Sequence, residues 1–138
     1  IDKGFNVNVH TDSQGYIIGG SGGHTDVAEC AKLTIIVAPL SRARMPVVVD
    51  KVVCVSTPGS SVDMLVTQYG ITVNPVHKGL AEKMEDAGLP LKTMEELVEL
   101  AYKINGIPSL SERNKGRVVA QVLNRDGSLL DEIFEVRE

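Results

Sequence analysis

Apolar and polar residues alternate near the start of this 138-residue chain, where Phe5, Val7 and Val9 stand between Asn6, Asn8 and His10. This is the period of a strand with one buried face. Asp12-Ser13-Gln14-Gly15 has turn composition and Tyr16-Ile17-Ile18 is apolar again, so the spacing predicts a hairpin. After the glycine-rich segment 19–23, Asp26-Val27-Ala28-Glu29 fits an Asp cap with a Glu three residues on, predicting a short helix to Lys32. Leu33 to Ala38 is a nearly unbroken apolar run rich in β-branched residues, the signature of a strand buried on both faces, and Pro39 ends it. Val47-Val48-Val49 and Val52-Val53-Cys54-Val55 predict two further strands around Asp50-Lys51. Thr57-Pro58-Gly59-Ser60-Ser61 reads as a loop.

Met64-Leu65-Val66 and Ile71-Thr72-Val73 predict short strands hinged at Gln68-Tyr69-Gly70. The period then lengthens. Leu80, Met84 and Ala87 mark one face of a helix over 78–87, ended by Gly88 and Pro90. Thr93-Met94-Glu95-Glu96 is a capping box, and Leu97, Leu100, Ala101 and Ile104 form the stripe of a second helix ending before Gly106. Val118, Ala120 and Val122 alternate up to Asp126-Gly127, and Leu130, Ile133, Phe134 and Val136 mark the return of a last hairpin. The expected fold is one α/β domain over 1–138, a mixed β-sheet with flanking helices. Several strands follow one another without room for a helical crossover, which excludes a purely parallel sheet.

Composition narrows the partners. Hydrophobic residues make up 43% and charged residues 23% of the chain, with a net charge of −4, which is globular composition. No basic block or aromatic–basic alternation is present, which argues against nucleic acid. No apolar stretch is long enough to span a bilayer, so no membrane role is expected. Cys30 and Cys54 lack metal-ligand spacing and read as small buried thiols in a reducing cytoplasm. His10, His24 and His77 are too scattered to predict a metal site.

The candidate chemistry begins at Gly19-Gly20-Ser21-Gly22-Gly23-His24-Thr25-Asp26. A glycine-rich turn leading into a helix exposes N–H groups and suits an anion or a developing oxyanion, although a tight packing turn has the same composition. No Lys-Ser/Thr follows, so it is not a P-loop, and the spacing of a dinucleotide fingerprint is absent. This segment, with Phe5-Asn6-Val7-Asn8-Val9, Ala31 to Leu40, Pro46 to Asp50, Thr57-Pro58-Gly59, Val62 to Thr67, Tyr69-Gly70-Ile71, Val73-Asn74-Pro75, Ala87 to Leu91 and Arg117 to Ala120, resembles the CoA-transferases. The glycine turn is shared with 3-oxoacid CoA-transferases and acetyl-CoA hydrolases. Thr34 to Leu40 and Tyr69 to Pro75 resemble the citrate lyase alpha-chain branch in particular.

That resemblance implies a CoA-transferase-like domain, the second of two similar halves facing each other across an active site. With a chain that opens in strand-like sequence without an initiating Met, it implies the C-terminal part of a longer polypeptide. The implied activity is that of a citrate CoA-transferase, exchanging acetyl for citrate on a carrier-protein or CoA thioester to give the citryl thioester. CoA, or a CoA-derived prosthetic group on the carrier, is then a co-substrate, with no cofactor bound covalently to this chain. The implied partners are the acyl carrier (gamma) and lyase (beta) subunits in a cytoplasmic complex, with this chain a homo-oligomer. The alternatives are another acyl-CoA transferase or hydrolase on the same fold, or a half domain inactive in isolation.

Acyl transfer moves charge onto an oxygen, so preset N–H donors are the main service a protein can offer. Gly20, Gly22 and Gly23 are the expected donors or points of close approach. His24, where relatives often carry Gln, can donate a hydrogen bond, orient a carboxylate or shuttle a proton, or be a structural imidazole satisfied by a backbone carbonyl. Ser21 and Asp26 flank the turn, Asp26 with helix capping as its alternative role. Arg42 and Arg44 offer guanidinium groups to citrate carboxylates or CoA phosphates, or are solvated loop charges. Asn8, within an Asn-x-Asn element, and Asn74, near His77, are further expected contacts or loop holders. Several CoA-transferases use a glutamate nucleophile upstream of the glycine turn, and no glutamate lies within 1–20. The citrate lyase branch is described as transferring within a ternary complex.

Overall fold

Gln68-Tyr69-Gly70 forms the hinge that its composition predicts. In a computed structural model, which describes residues 1–109 and 116–136, strands β4 (Met64–Thr67) and β5 (Gly70–Val73) pair antiparallel around it. Thr67 closes the turn, its hydroxyl donating to the Gly70 carbonyl and accepting from Tyr69 N–H. Before them in the chain come α1 (His24–Cys30), β1 (Ile35–Val37), β2 (Ser41–Arg42) and β3 (Met45–Pro46). After them come α2 (Lys78–Asp86), α3 (Met94–Asn105), β6 (Val118–Leu123) and β7 (Leu129–Phe134). Strand β1 pairs parallel with β4, giving a three-stranded mixed sheet of order β1-β4-β5. The chain is thus mixed α/β, but β2–β3 and β6–β7 are separate two-stranded ribbons and do not extend that sheet.

Strand β1 departs from expectation. Its apolar run predicts burial on both faces, yet Ile35 and Val37 are 45% and 77% exposed while Leu65 of the central strand is fully buried. It is an edge strand: β4 covers one side and no described strand covers the other. The two strands predicted within 47–55 also do not form ladders. Their N–H groups are taken singly, Val49 by the Ile1 carbonyl, Val52 by Asp2 Oδ2 and Val55 by Asp131 Oδ2. Scattered acceptors satisfy the backbone as well as a neighbouring strand would, and Val48, Val49, Val52 and Cys54 are still buried.

The first hairpin shrinks to a single bridge, Thr11 to Ile17. Asp2 is the cause upstream: its buried carboxylate accepts from the N–H groups of Gly4, Asn6 and Val52 and tightens the chain into a turn with Phe5 at φ +63. Leaving that turn, Val7 exchanges backbone hydrogen bonds with Thr57 and Ser56 and not with 16–18.

Helix α1 begins at His24 with Gly23 as its cap. Asp26 is therefore not the cap; it lies in the first turn, where its charge complements the helix dipole. Helix α3 has the predicted capping box, Thr93 accepting from Glu96 N–H and Glu96 from Thr93 N–H. Its buried residues are Met94, Leu97, Val98 and Ala101, with Val98 replacing the half-exposed Ile104 of the predicted stripe. They pack on Phe5, Val7, Leu40, Val48, Val62 and Leu65 in the main core. A second small core joins Val122 and Ile133 of the last hairpin to Cys54. Cys30, expected to be buried, is exposed at the end of α1. No helix among the described residues is long and apolar enough to cross a membrane.

Candidate functional site

The glycine-rich segment runs from the Thr11–Ile17 bridge into α1. Gly22 has φ +55, the left-handed region closed to most side chains, and a hydrogen bond from His24 N–H to the Ser21 carbonyl closes the turn at 3.0 Å. A Cβ added at Gly19, Gly20 or Gly22 would meet nothing within 4 Å, so no packing among the described residues accounts for these glycines. Among the described residues, no hydrogen bond uses the N–H groups of Gly20, Ser21, Gly22 or Gly23. Consecutive unpaired peptide donors at an exposed turn are free to receive an oxygen that carries negative charge.

His24 opens the helix and turns Nδ1 inward, 2.7 Å from Thr57 Oγ1. Thr57 also lies 3.2 Å from Thr25 Oγ1, and Thr25 donates to the Ser56 carbonyl at 2.5 Å. On the other side of the same dipeptide, Ser56 Oγ lies 2.6 Å from His10 Nδ1. The segment 56–57 is thus clasped between α1 and the N-terminal segment, and its buried hydroxyls hold two half-buried imidazoles.

A cleft of about 570 Å³ opens between α1 and β1, lined by Gly23, His24, Val27, Ala28, Ala31, Leu33, Thr34, Ile35 and Ile36. Its walls are apolar apart from His24 and Thr34. Thr34 is held by Asp63, whose Oδ2 accepts from Thr34 N–H at 2.5 Å while Oδ1 pairs with His77 Nε2 at 2.6 Å. The Asp63 carboxylate therefore fixes where β1 starts, and with it the floor of the cleft.

The expected site residues divide into two groups. Gly20, Ser21, Gly22, Gly23, His24 and Asp26 lie on one turn and the first turn of α1. Arg42 and Arg44 lie apart, Arg42 at the end of β2 and Arg44 on the two-residue turn of the β2–β3 ribbon, where Ala43 and Arg44 have positive φ; both arginines are exposed. Asn74 lies inside the fold, its amide donating to the carbonyls of Gly59 and Val62. Asn8 donates to Thr11 and accepts from the N–H groups of His10 and Thr11, so its amide is consumed in a turn. Thr25, Ser56, Thr57 and Asp63 were not anticipated. Thr57 is 33 residues from His24 in sequence and reads as an ordinary loop residue, so no local pattern could have paired them.

The fold and site together define an α/β domain in which peptide donors unpaired among the described residues and an anchored imidazole lie beside an apolar cleft. The chain belongs to the citrate lyase alpha-subunit family, whose model (Citrate lyase, alpha subunit, CitF) matches residues 1–136. It is 52% identical to the citrate lyase alpha chain of Klebsiella pneumoniae over 99% of its length and 50% identical to that of Escherichia coli over 100%. A crystal structure described as the alpha subunit of citrate lyase from Streptococcus mutans, in complex with citrate, superposes with a TM-score of 0.93 at 47% identity over the whole chain. The chain spans 27% of the length of each of these relatives.

Proposed function

We propose that this domain supplies part of the active site of a citrate CoA-transferase. The acetyl group of an acetyl thioester, on an acyl carrier protein or on CoA, is exchanged for citrate: citrate enters as the acid, acetate leaves, and the citryl thioester remains. The observation that carries this reading is the row of unpaired N–H groups at Gly20, Ser21, Gly22 and Gly23 beside the cleft, in a chain about half identical to citrate lyase alpha chains. The thioester carbonyl sits against Gly20, Gly22 and Gly23, whose donors stabilise its oxygen as negative charge develops. The apolar cleft between α1 and β1 receives the arm bearing the thioester. His24, Ser21 and Asp26 face the acyl acceptor. Arg42 and Arg44 read carboxylates or phosphates from the separate ribbon, and Asn8 and Asn74 act by holding the loops.

In this reading the domain is a CoA-transferase-like portion, about a quarter of a longer two-lobed chain and placed in its C-terminal part. It works in a cytoplasmic complex with a carrier subunit, a lyase subunit and further copies of itself, and the other lobe completes the site. The test is acyl transfer from acetyl-CoA to citrate, with citryl-CoA detected by mass spectrometry, on this domain and on the full-length chain. Citryl-CoA from the full-length chain alone is expected. Acetate or a 3-oxoacid accepted in place of citrate would move the protein to another transferase on the same fold.

A further inference from the structure

The hydroxyls beneath His24 determine which of its nitrogens carries the proton. Thr25 Oγ1 donates to the Ser56 carbonyl at 2.5 Å, so its single hydrogen is committed and only its lone pairs remain. Thr57 Oγ1 lies between two partners, Thr25 Oγ1 at 3.2 Å and His24 Nδ1 at 2.7 Å. Thr57 is fully buried and Thr25 is 8% exposed. If Thr57 donates to Nδ1, the two threonine oxygens face each other out of water with no hydrogen between them, an uncompensated polar contact. If Thr57 donates to Thr25, every hydrogen is used: Nδ1–H to Thr57, Thr57 to Thr25, Thr25 to the Ser56 carbonyl. That last acceptor has no hydrogen to return, so the chain runs one way.

We propose that Thr57, acting through Thr25, is a positioning residue that fixes His24 as the Nδ1–H tautomer and leaves an unprotonated Nε2 facing the cleft. Nδ1 is bonded to the buried Thr57 and His24 is among the residues lining the cleft, so the nitrogen left to meet a substrate is Nε2. Among the described residues nothing bonds it. A bare Nε2 accepts, so the substrate group that meets it is an O–H or S–H donor and not a carboxylate. This catalytic consequence rests on the transferase reading; the tautomer does not.

His10 supplies the contrast. Ser56 is 1% exposed and its Oγ accepts from Val9 N–H at 2.9 Å; among the described residues the acceptor in reach of its own hydrogen is His10 Nδ1 at 2.6 Å, so the buried hydroxyl is satisfied when it donates there. His10 is thereby the Nε2–H tautomer, and adjacent residues hold two histidines in opposite states.

The test is 15N NMR of the full-length chain labelled in histidine, with His24→Gln and His10→Gln assigning the two rings. Protonated Nδ1 is expected at His24 and protonated Nε2 at His10. Thr57→Val keeps the shape and removes the hydroxyl; it should mix the tautomers of His24, leave His10 unchanged, and lower kcat for acyl transfer about 10–100-fold with KM little altered. Thr57→Ser should restore both readouts. Protonated Nε2 at His24 in the unmodified chain, or an unchanged His24 signature in Thr57→Val, overturns the proposal. Should Thr57→Val not fold, Thr25→Val removes the acceptor that orients Thr57, and an unchanged His24 signature there overturns it equally. The expected tautomers in a chain that transfers no acyl group overturn the functional reading alone and uphold the positioning role.

Discussion

Replacing Gly59 by Ala should loosen the segment that carries Thr57. Gly59 opens the short 3-10 turn Gly59–Ser61; its N–H donates to Asn6 Oδ1 at 3.0 Å and its carbonyl accepts from Asn74 Nδ2 at 2.9 Å. A Cβ there would overlap the Gly4 carbonyl oxygen and approach the carbonyl carbons of Gly4 and Phe5 to 2.9 and 3.0 Å. These are backbone atoms in a turn pinned by the Asp2 carboxylate, so they cannot swing aside like the end of a flexible side chain. Overpacking commonly costs about 1–3 kcal/mol, and loosening the two hydrogen bonds adds about 1 kcal/mol each. A loss of about 3 kcal/mol corresponds to about a hundredfold rise in the opening equilibrium. Hydrogen exchange by mass spectrometry on the full-length chain reads this directly in peptides covering 1–9 and 54–62. Exchange within about threefold of the unmodified protein, the range of a neutral surface change, would refute the close-approach argument.

Three further outcomes are expected. Gly22→Ala puts a side chain at φ +55 in open space, costing the fold only about 1–2 kcal/mol. Acyl transfer should nevertheless fall more than about a hundredfold, and retained turnover in a transfer assay would remove the turn from the site. His24→Gln should lower kcat by more than about a hundredfold if Nε2 takes a proton; near-normal turnover would leave the imidazole a hydrogen-bonding role alone. Thr93→Ala abolishes the capping box of α3 and should cost about 1 kcal/mol, seen as faster exchange across 93–105; an unchanged rate would mean the buried stripe alone holds the helix.

The site is assembled from parts with different kinds of support. Among the described residues no packing requires Gly19, Gly20 or Gly22, whereas Gly59, two residues beyond Thr57, is there because two backbones touch. The acidic Asp63 performs a third task, linking Thr34 at the cleft to His77 at the start of α2. Changes at these positions should therefore separate cleanly into losses of turnover and losses of order.

Much of this was legible along the chain because its causes are local. The Thr93 capping box, the Gln68-Tyr69-Gly70 hinge and the Asp126-Gly127 turn depend on residues within a few positions of one another, and each appears where its pattern predicts. The glycine-rich turn was equally legible, since left-handed backbone at Gly22 is a property of one residue. The start of α1 was misjudged by three residues because Gly23 caps it without a side chain, which a search for an oxygen-bearing cap cannot find. Burial of β1 was misjudged because apolar composition records what a strand can be covered by and not whether a neighbour lies at its edge. The strands expected within 47–55 dissolved because single acceptors on Ile1, Asp2 and Asp131 satisfy them from far away in sequence. Sequence alone determined the turns at 68–70 and 126–127, the cap of α3 and the place of the glycine-rich segment. Only the tertiary structure brought Thr57 under His24, Ser56 under His10 and Asp63 under Thr34, because hydrogen bonds between residues 29 to 46 positions apart follow from how the chain packs and leave no periodic trace in the order of its residues.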